Sequence, residues 1–179
     1  MAPSCAAARA ARRVVVCLLL LAGAVHARAE APGGTERRLK AAYLVRVAAY
    51  VDWPDAAFAR PDSPLVIGIA GDDALAEQAA RFMAGRLVHG HPLAVRRVGV
   101  TVAPAGLHVL FAAAGPARAR LLEAVHSQPV LTVCDGVPER RCVVNLVADG
   151  DRLRVRIDRL EALAAQLRVS ARLLALGTW

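Results

Sequence analysis

Apolar residues recur at helical spacing in the segment that follows Thr35. They occupy positions i, i+4, i+8 and i+11 of one helix face: Leu39, Tyr43, Val47 and Tyr50. Trp53-Pro54 is expected to end this helix, because the residue before a proline avoids helical backbone angles. The continuous apolar run Leu65–Ala70 then predicts a buried strand. The turn at 71–73 carries two aspartates and predicts the start of a second helix, since acids are favourable at a helix N-terminus.

The rest of the chain alternates between strand and helix patterns. Apolar runs predict five more strands: 93–98, 108–112, 130–134, 142–147 and 153–157. Helices are predicted through about Ala84, at 116–126 and after Asp158, where Glu161 completes a capping-box spacing. The apolar face of that last helix is expected to contain Leu160, Leu163, Ala164 and Leu167. Asp149-Gly150 favours a hairpin. The pattern predicts a single α/β domain with a mixed sheet of about six strands flanked by helices.

The N-terminus has the residue order of an export signal. Arg9, Arg12 and Arg13 precede an apolar run at 14–25, and Ala27-Arg28-Ala29 offers small residues for cleavage. The run is shorter than the roughly 20 apolar residues that a membrane-spanning helix needs. We therefore expect residues 1–29 to be a cleavable signal peptide. Residues 30–179 are expected to form a periplasmic domain that does not span the membrane.

Charge argues against a nucleic-acid partner. The whole chain carries a formal net charge of +8, and the predicted signal peptide removes four arginines and no acid, which leaves +4. Lys40 is the only lysine of the predicted mature chain, and the arginines are scattered along the sequence. Proteins that bind nucleic acids usually combine a basic stripe with a recognisable module, and neither is evident here.

Cys134 and Cys142 are the cysteines of the predicted mature chain. A pair that flanks one short polar loop, in a chain sent to an oxidising compartment, favours a disulfide. Closing so small a loop stabilises the fold by roughly 2–3 kcal/mol on the chain-entropy model. A catalytic Cys134 beside Asp135 would instead need a histidine base and no partner thiol, and a zinc site would need two more ligands.

Other patterns that carry chemistry elsewhere have simpler explanations in this chain. The G-x-x-G spacing at 68–71 is neither a dinucleotide fingerprint nor a P-loop, and a tight turn accounts for it. His89 and His91 flank a glycine, and a metal site would need a third ligand, so we interpret them as an exposed turn. No serine lies in a G-x-S-x-G elbow. We predict no catalytic residues, no metal, no cofactor and no enzymatic activity.

The aromatic residues are concentrated in one stretch. Four of the seven lie there: Tyr43, Tyr50, Trp53 and Phe58. Such rings either pack a helix into the core or build a binding surface. We interpret Tyr43 and Tyr50 as core residues and leave Trp53 open between the two roles. An alternative function follows, in which a periplasmic small-ligand-binding sensor or carrier uses these rings as its pocket.

Several segments together resemble the YfiR family of periplasmic proteins. They are LKAAYLVRVAAYVDWP at 39–54, VIGIAGDD at 66–73, HVLF at 108–111, PVLTVCD at 129–135, and LRVRID followed by VSARLLALG at the end. These segments follow the family's order over nearly the whole predicted mature chain. The resemblance implies a small α/β protein that restrains an inner-membrane diguanylate cyclase, or another membrane sensor protein, by contacting its periplasmic domain.

Four residues are expected at the contact with such a partner. They are Trp53, Phe58, Asp135 and Arg141. The chain departs from the family pattern at Arg46, where asparagine is usual, and at Leu107, where cysteine is common. Leu107 makes a second disulfide impossible, and Arg141-Cys142 replaces a glycine pair and changes the charge of the loop. The sequence is also compatible with a homodimer.

Overall fold

The computed structural model describes residues 33–99, 105–136, 138–149 and 152–176. The predicted signal peptide, residues 1–29, lies outside the described residues, as does the Gly150-Asp151 turn of the predicted hairpin. In chain order the elements are α1 (Gly34–Ala48), β1 (Val51–Asp52), a short 3-10 helix (Asp55–Ala57), β2 (Leu65–Ala70), α2 (Asp73–Met83), β3 (Leu87–Val88), β4 (His91–Arg97), β5 (Val109–Ala112), α3 (Arg118–Val125), β6 (Leu131–Asp135), β7 (Val144–Asp149), β8 (Arg152–Ile157), α4 (Arg159–Ala164), β9 (Arg168–Val169) and α5 (Ala171–Leu176).

Seven of the strands form one mixed sheet in the order β3-β4-β2-β5-β6-β7-β8. The five central strands are parallel, while β3 and β8 pair antiparallel at the two ends. The predicted α/β class and mixed sheet are confirmed, and each of the six predicted strands is present within two residues of its predicted bounds. The prediction missed β3, a two-residue strand too short to show a hydrophobic period.

Helices cover both faces of this sheet. Alternate strand residues point to opposite faces, so Val109 and Phe111 of β5 enter one core cluster and Leu110 enters another. The larger cluster includes Leu44 of α1 and residues of α2, and the smaller includes Leu121 of α3. Central strands buried on both faces explain why their sequences are continuously apolar.

Gly68 within β2 and Gly71 just after it are required by close packing and by backbone conformation, respectively. A Cβ on Gly68 would lie 2.6 Å from a methyl carbon of Leu107, and Gly71 has a φ of +82°. Asp72 then caps α2 by accepting a hydrogen bond from the backbone N of Leu75 at 2.9 Å. The G-x-x-G spacing therefore has a structural explanation, as the sequence indicated. Leu107 fills the space above Gly68.

The apolar face predicted for α4 is wrong. Leu160 and Leu163 are 78% and 69% exposed, whereas Ala162, Ala165 and Leu167 are buried. Asp158 does cap the helix as predicted, since its Oδ1 accepts from the backbone N atoms of Leu160 and Glu161. The helix ends at Ala164, and Gln166 adopts a positive φ of 58°. Leu167 is therefore not part of the helical period, and the small alanines face the core instead.

A second, two-stranded sheet joins the segment that follows α1 to the segment that follows α4. Strand β1 pairs antiparallel with β9, with Val51 opposite Val169 and Asp52 opposite Arg168. The backbone N of Ser170 also donates to the carbonyl of Tyr50 at 2.9 Å. This pairing places Arg168, near the end of the chain, beside the exit of α1.

Candidate functional site

The disulfide predicted between Cys134 and Cys142 is present, with 6.0 Å between their Cα atoms. Cys134 lies near the end of β6, and Cys142 precedes β7, which runs parallel to β6. Parallel neighbours usually need a connection of a dozen or more residues, but here only residues 136–143 return the chain. The disulfide fastens this return loop to the strand from which it departs.

Two buried polar side chains also hold the return loop. Thr132 of β6 accepts from the backbone N of Val143 at 3.0 Å and donates to the carbonyl of Arg141 at 3.3 Å. Asn145 of β7 accepts from the backbone N of Glu139 at 2.8 Å. Both side chains belong to the buried residues of the sheet. The irregular backbone of the loop is thus hydrogen-bonded from both flanking strands.

The carboxylate of Asp135 is engaged by Lys40 of α1. The two groups are 2.7 Å apart, and Lys40 also lies 2.6 Å from Glu36. Burial alone would lower the pKa of Lys40, but its hydrogen bonds and charge interactions with Asp135 and Glu36 outweigh burial and raise the pKa above its ordinary value. The guanidinium of Arg118 donates to the carbonyl oxygens of Asp135 and Ala113. Helix α1 is therefore tied to the start of the loop.

A second group of site residues is built around Phe58. Its ring stacks between His91, at a centroid distance of 3.8 Å, and His108, at 4.3 Å. His108 accepts from the backbone N of Val66 through Nδ1, and its Nε2 donates to the carbonyl of Ala57. Both nitrogens of the neutral ring are thus satisfied. Burial lowers the pKa of His108, and His91 nearby acts in the same direction, so the neutral form is favoured.

Trp53 packs in the core at the exit of α1. It is 8% exposed, and its Nε1 donates to the carbonyl of His108 at 3.1 Å. Tyr43 and Tyr50 are partly buried and pack against the same core cluster, as predicted. Phe58 has both ring faces covered, so it offers only an edge. The four aromatics therefore contribute mainly to packing and only in part to a surface.

A cavity of about 310 Å³ opens beside Trp53 and Phe58. The residues that line it are Asp52, Trp53, Asp55, Phe58, Leu65, His89, His91 and Arg168. Its volume is at the lower end of small-ligand pockets. Its polar walls come from the β1–β9 pair and the β3–β4 turn, which short sequence patterns did not reveal. Arg168 had no local signal, because only the pairing of β9 with β1 brings it to this cavity.

The histidines of this cavity lie at a tight turn, as predicted. Val88 pairs with His91, and His89 and Gly90 both have positive φ, 51° and 83°. Two such residues between antiparallel strands form the hairpin turn whose twist matches that of the strands. No group of three or more His, Cys, Asp or Glu side chains is placed to hold a metal ion in the described part of the chain.

The structure separates the four predicted contact residues into two groups. Trp53 and Phe58 line the cavity, whereas Asp135 and Arg141 flank the disulfide. Arg141 is exposed and forms an ion pair with Glu123 of α3. The exposure of Leu160 and Leu163 could not be predicted, because their spacing is equally typical of a buried helix face. Those two leucines and Leu87 are the large apolar side chains exposed among the described residues.

Fold and loop together define a single-domain α/β protein with a disulfide-bonded return between parallel strands. The chain belongs to the YfiR/HmsC-like family, whose model matches residues 37–178. Proteins of this family are periplasmic regulators rather than enzymes, and membership implies a membrane diguanylate cyclase as partner. Comparison with curated proteins gives no match. Within the described ranges, no helix combines the length and apolar character needed to cross a membrane.

Proposed function

We propose that this protein is a periplasmic regulator that restrains a membrane diguanylate cyclase by binding the periplasmic domain of the cyclase. The match to the YfiR/HmsC-like family carries the proposal. In this scheme the protein lowers the production of cyclic di-GMP while it is bound. Envelope conditions that release it from the cyclase raise that production.

The exposed leucines of α4 are the proposed centre of the contact. Leu160 and Leu163 are separated by one helical turn and therefore lie on the same side of α4. Protein interfaces need a desolvated apolar centre surrounded by a polar rim. Helix α4 and the residues that follow it are anchored on the core by Ala162, Ala165 and Leu167, which are buried in the larger cluster. The leucines are thus presented on a fixed element.

The four residues that the sequence predicted at the contact have different roles in this proposal. Trp53 and Phe58 line the cavity, so a partner side chain that enters the cavity would contact them. Arg141 is exposed at the return loop and is available at a rim. The carboxylate of Asp135 already binds Lys40, and we therefore assign it the role of positioning the loop.

Deletion of the gene, with measurement of cellular cyclic di-GMP, tests the proposal. The nucleotide level is expected to rise on deletion and to return when the wild-type gene is supplied. The combined Leu160→Ser and Leu163→Ser variant should fail to restore it, while its melting temperature stays unchanged. Leu87→Ser is the matched control, since Leu87 is also an exposed leucine, 64% accessible, but lies on β3 at the far end of the sheet. An unchanged nucleotide level after deletion, under all envelope conditions tried, refutes the repressor function.

The cavity favours a second candidate function, a periplasmic small-ligand sensor or carrier. Its wall combines Trp53 and an edge of Phe58 with charged groups of both signs, Asp52, Asp55 and Arg168. A ligand that binds only the folded state raises the melting temperature. A thermal-shift screen of small metabolites should then find a compound whose effect is lost in Arg168→Ala. Such a hit, together with an unchanged cyclic di-GMP level on deletion, would favour this function over the first.

A further inference from the structure

Three arginines point from one face of the edge strand β8. Along this strand Arg152, Arg154 and Arg156 are exposed, while Leu153 and Val155 are buried. Residues two apart on a strand are separated by roughly 7 Å and lie on the same face. Strand β8 pairs with β7 and is the last strand of the sheet in the described part of the chain. These three side chains form an arginine row at the rim of the sheet.

The return loop lies on the same face of the sheet as the arginine row. Asn145 of β7 is directly opposite Arg156, and paired residues share a face. The side chain of Asn145 binds the backbone of Glu139 in the loop, so the loop covers this face next to the row. Arg140 of the loop is exposed there. Arginines that look scattered in the sequence are thereby collected on one side of the molecule.

Most of this positive charge has no internal counter-charge. Arg154 forms an ion pair with Asp149 at 2.6 Å. Within the described residues, the side chains of Arg140, Arg152 and Arg156 form neither a hydrogen bond nor an ion pair. Three long cationic side chains therefore remain available to one external, negatively charged surface.

We propose that the arginine row, together with Arg140, rests on the surface of an anionic phospholipid membrane. None of the three large apolar side chains exposed among the described residues, Leu87, Leu160 and Leu163, belongs to β8 or to the return loop, so the row itself lacks the apolar centre that protein interfaces need. Guanidinium groups bind phosphate with two parallel hydrogen bonds, and laterally spread headgroups require no shaped pocket. The family is periplasmic and acts on a membrane partner, so a bilayer surface is close. This inference rests on the periplasmic location in the proposed function, but not on the cyclase contact at α4.

Vesicle co-sedimentation tests the proposal with the protein recovered from the periplasmic fraction, its N-terminus determined by mass spectrometry. At low salt the protein should bind vesicles of equal parts phosphatidylglycerol and phosphatidylcholine, and not vesicles of phosphatidylcholine alone. Each arginine near an anionic surface contributes about fivefold in partitioning, so the combined Arg152→Gln and Arg156→Gln variant should bind about 25-fold more weakly. Binding should vanish at 1 M salt, where the screening length is about 3 Å.

The matched control combines Arg46→Gln with Arg81→Gln. Both residues are exposed, form no ion pair among the described residues, and lie on α1 and α2, on the opposite side of the sheet. The control should bind the anionic vesicles as the wild type does. Equal weakening in both variants would mean attraction by net charge alone and would overturn the proposal.

Two further outcomes overturn it. If the wild type does not prefer anionic vesicles at low salt, the row only protects the strand edge against pairing with other chains. If the Arg152 and Arg156 variant binds vesicles normally but fails to lower cyclic di-GMP, the row contacts an acidic protein surface instead. Melting temperatures are expected to agree within about 2 °C, because exposed substitutions rarely change stability.

Discussion

The return loop at 136–143 and the cavity region around Phe58 are both irregular segments, yet they are held by different interactions. The loop is fastened by a disulfide, by two buried polar side chains and by the ion pair that links Lys40 to Asp135. The cavity region is held by stacked rings, by a neutral histidine and by the two-residue pairing of β1 with β9. The return loop should therefore be destabilised by reduction of the disulfide and by loss of the Lys40 or Asp135 charge. The cavity region should be destabilised by loss of a stacked ring and by low pH.

The largest effect should come from breaking the cavity region. Trp53→Ala removes a nearly buried ring and its hydrogen bond to the His108 carbonyl, so we expect a loss of about 3–5 kcal/mol in the free energy of unfolding. Urea denaturation measures it. Trp53→Phe, which keeps a ring in the site, should cost much less. A fully stable Trp53→Ala protein that no longer represses would instead identify Trp53 as a surface contact.

Loss of the buried ion pair should come next. Lys40→Met leaves the Asp135 carboxylate without its partner. We expect the free energy of unfolding to fall by about 3 kcal/mol, because the remaining charge is still desolvated but is no longer compensated. Because the folded pKa of Lys40 is raised, its contribution is complete below the unfolded pKa and is lost as pH rises through the folded pKa. The double variant with Asp135→Asn should recover part of the loss. If the two changes are additive, the pair does not couple α1 to the loop.

Removal of the disulfide should weaken the loop region without unfolding the domain. Replacing Cys134 and Cys142 by serine is expected to lower the free energy of unfolding by roughly 2–3 kcal/mol. Hydrogen exchange should increase at Glu139 and Val143 more than at Val66, whose backbone N belongs to the cavity region. Two free thiols in the native protein would rule out the bond.

Acid should act on the cavity region and have the smallest effect. Burial lowers the folded pKa of His108, so stability that is complete above the unfolded pKa of about 6.5 decreases as pH falls below it, because the unfolded state binds the extra proton. Urea midpoints measured from neutral to mildly acidic pH should show this slope. His108→Gln should reduce the slope even if it lowers overall stability. An identical slope in the variant would assign the pH dependence to another group.

Much of the fold could be predicted because the central strands are buried on both faces and therefore have continuous apolar sequences. Strands β1, β3 and β9 are two residues long and carry no period, so their pairing was not predictable. The face expected for α4, three leucines and one alanine, was wrong because the small residues Ala162 and Ala165 face the core. Gln166 also ends the segment in a left-handed conformation that its sequence does not indicate. The disulfide could be predicted, because two cysteines flank one short loop. The cavity could not be predicted, because it forms from residues such as Asp52 and Arg168 that are distant in the chain.

The pairing of β1 with β9 also sets an order on folding. Val51 can pair with another strand only when Val169 is present. The carbonyl of Tyr50 likewise accepts its hydrogen bond only when the backbone N of Ser170 is present. Contacts between residues so far apart in sequence are slow to form, because the long intervening chain loses entropy when its ends meet. A chain delivered N-terminus first therefore keeps the exit of α1 unpaired until residues 168–170 have arrived. During that interval β1 is an unpaired strand, the kind of segment that chaperones bind to prevent aggregation.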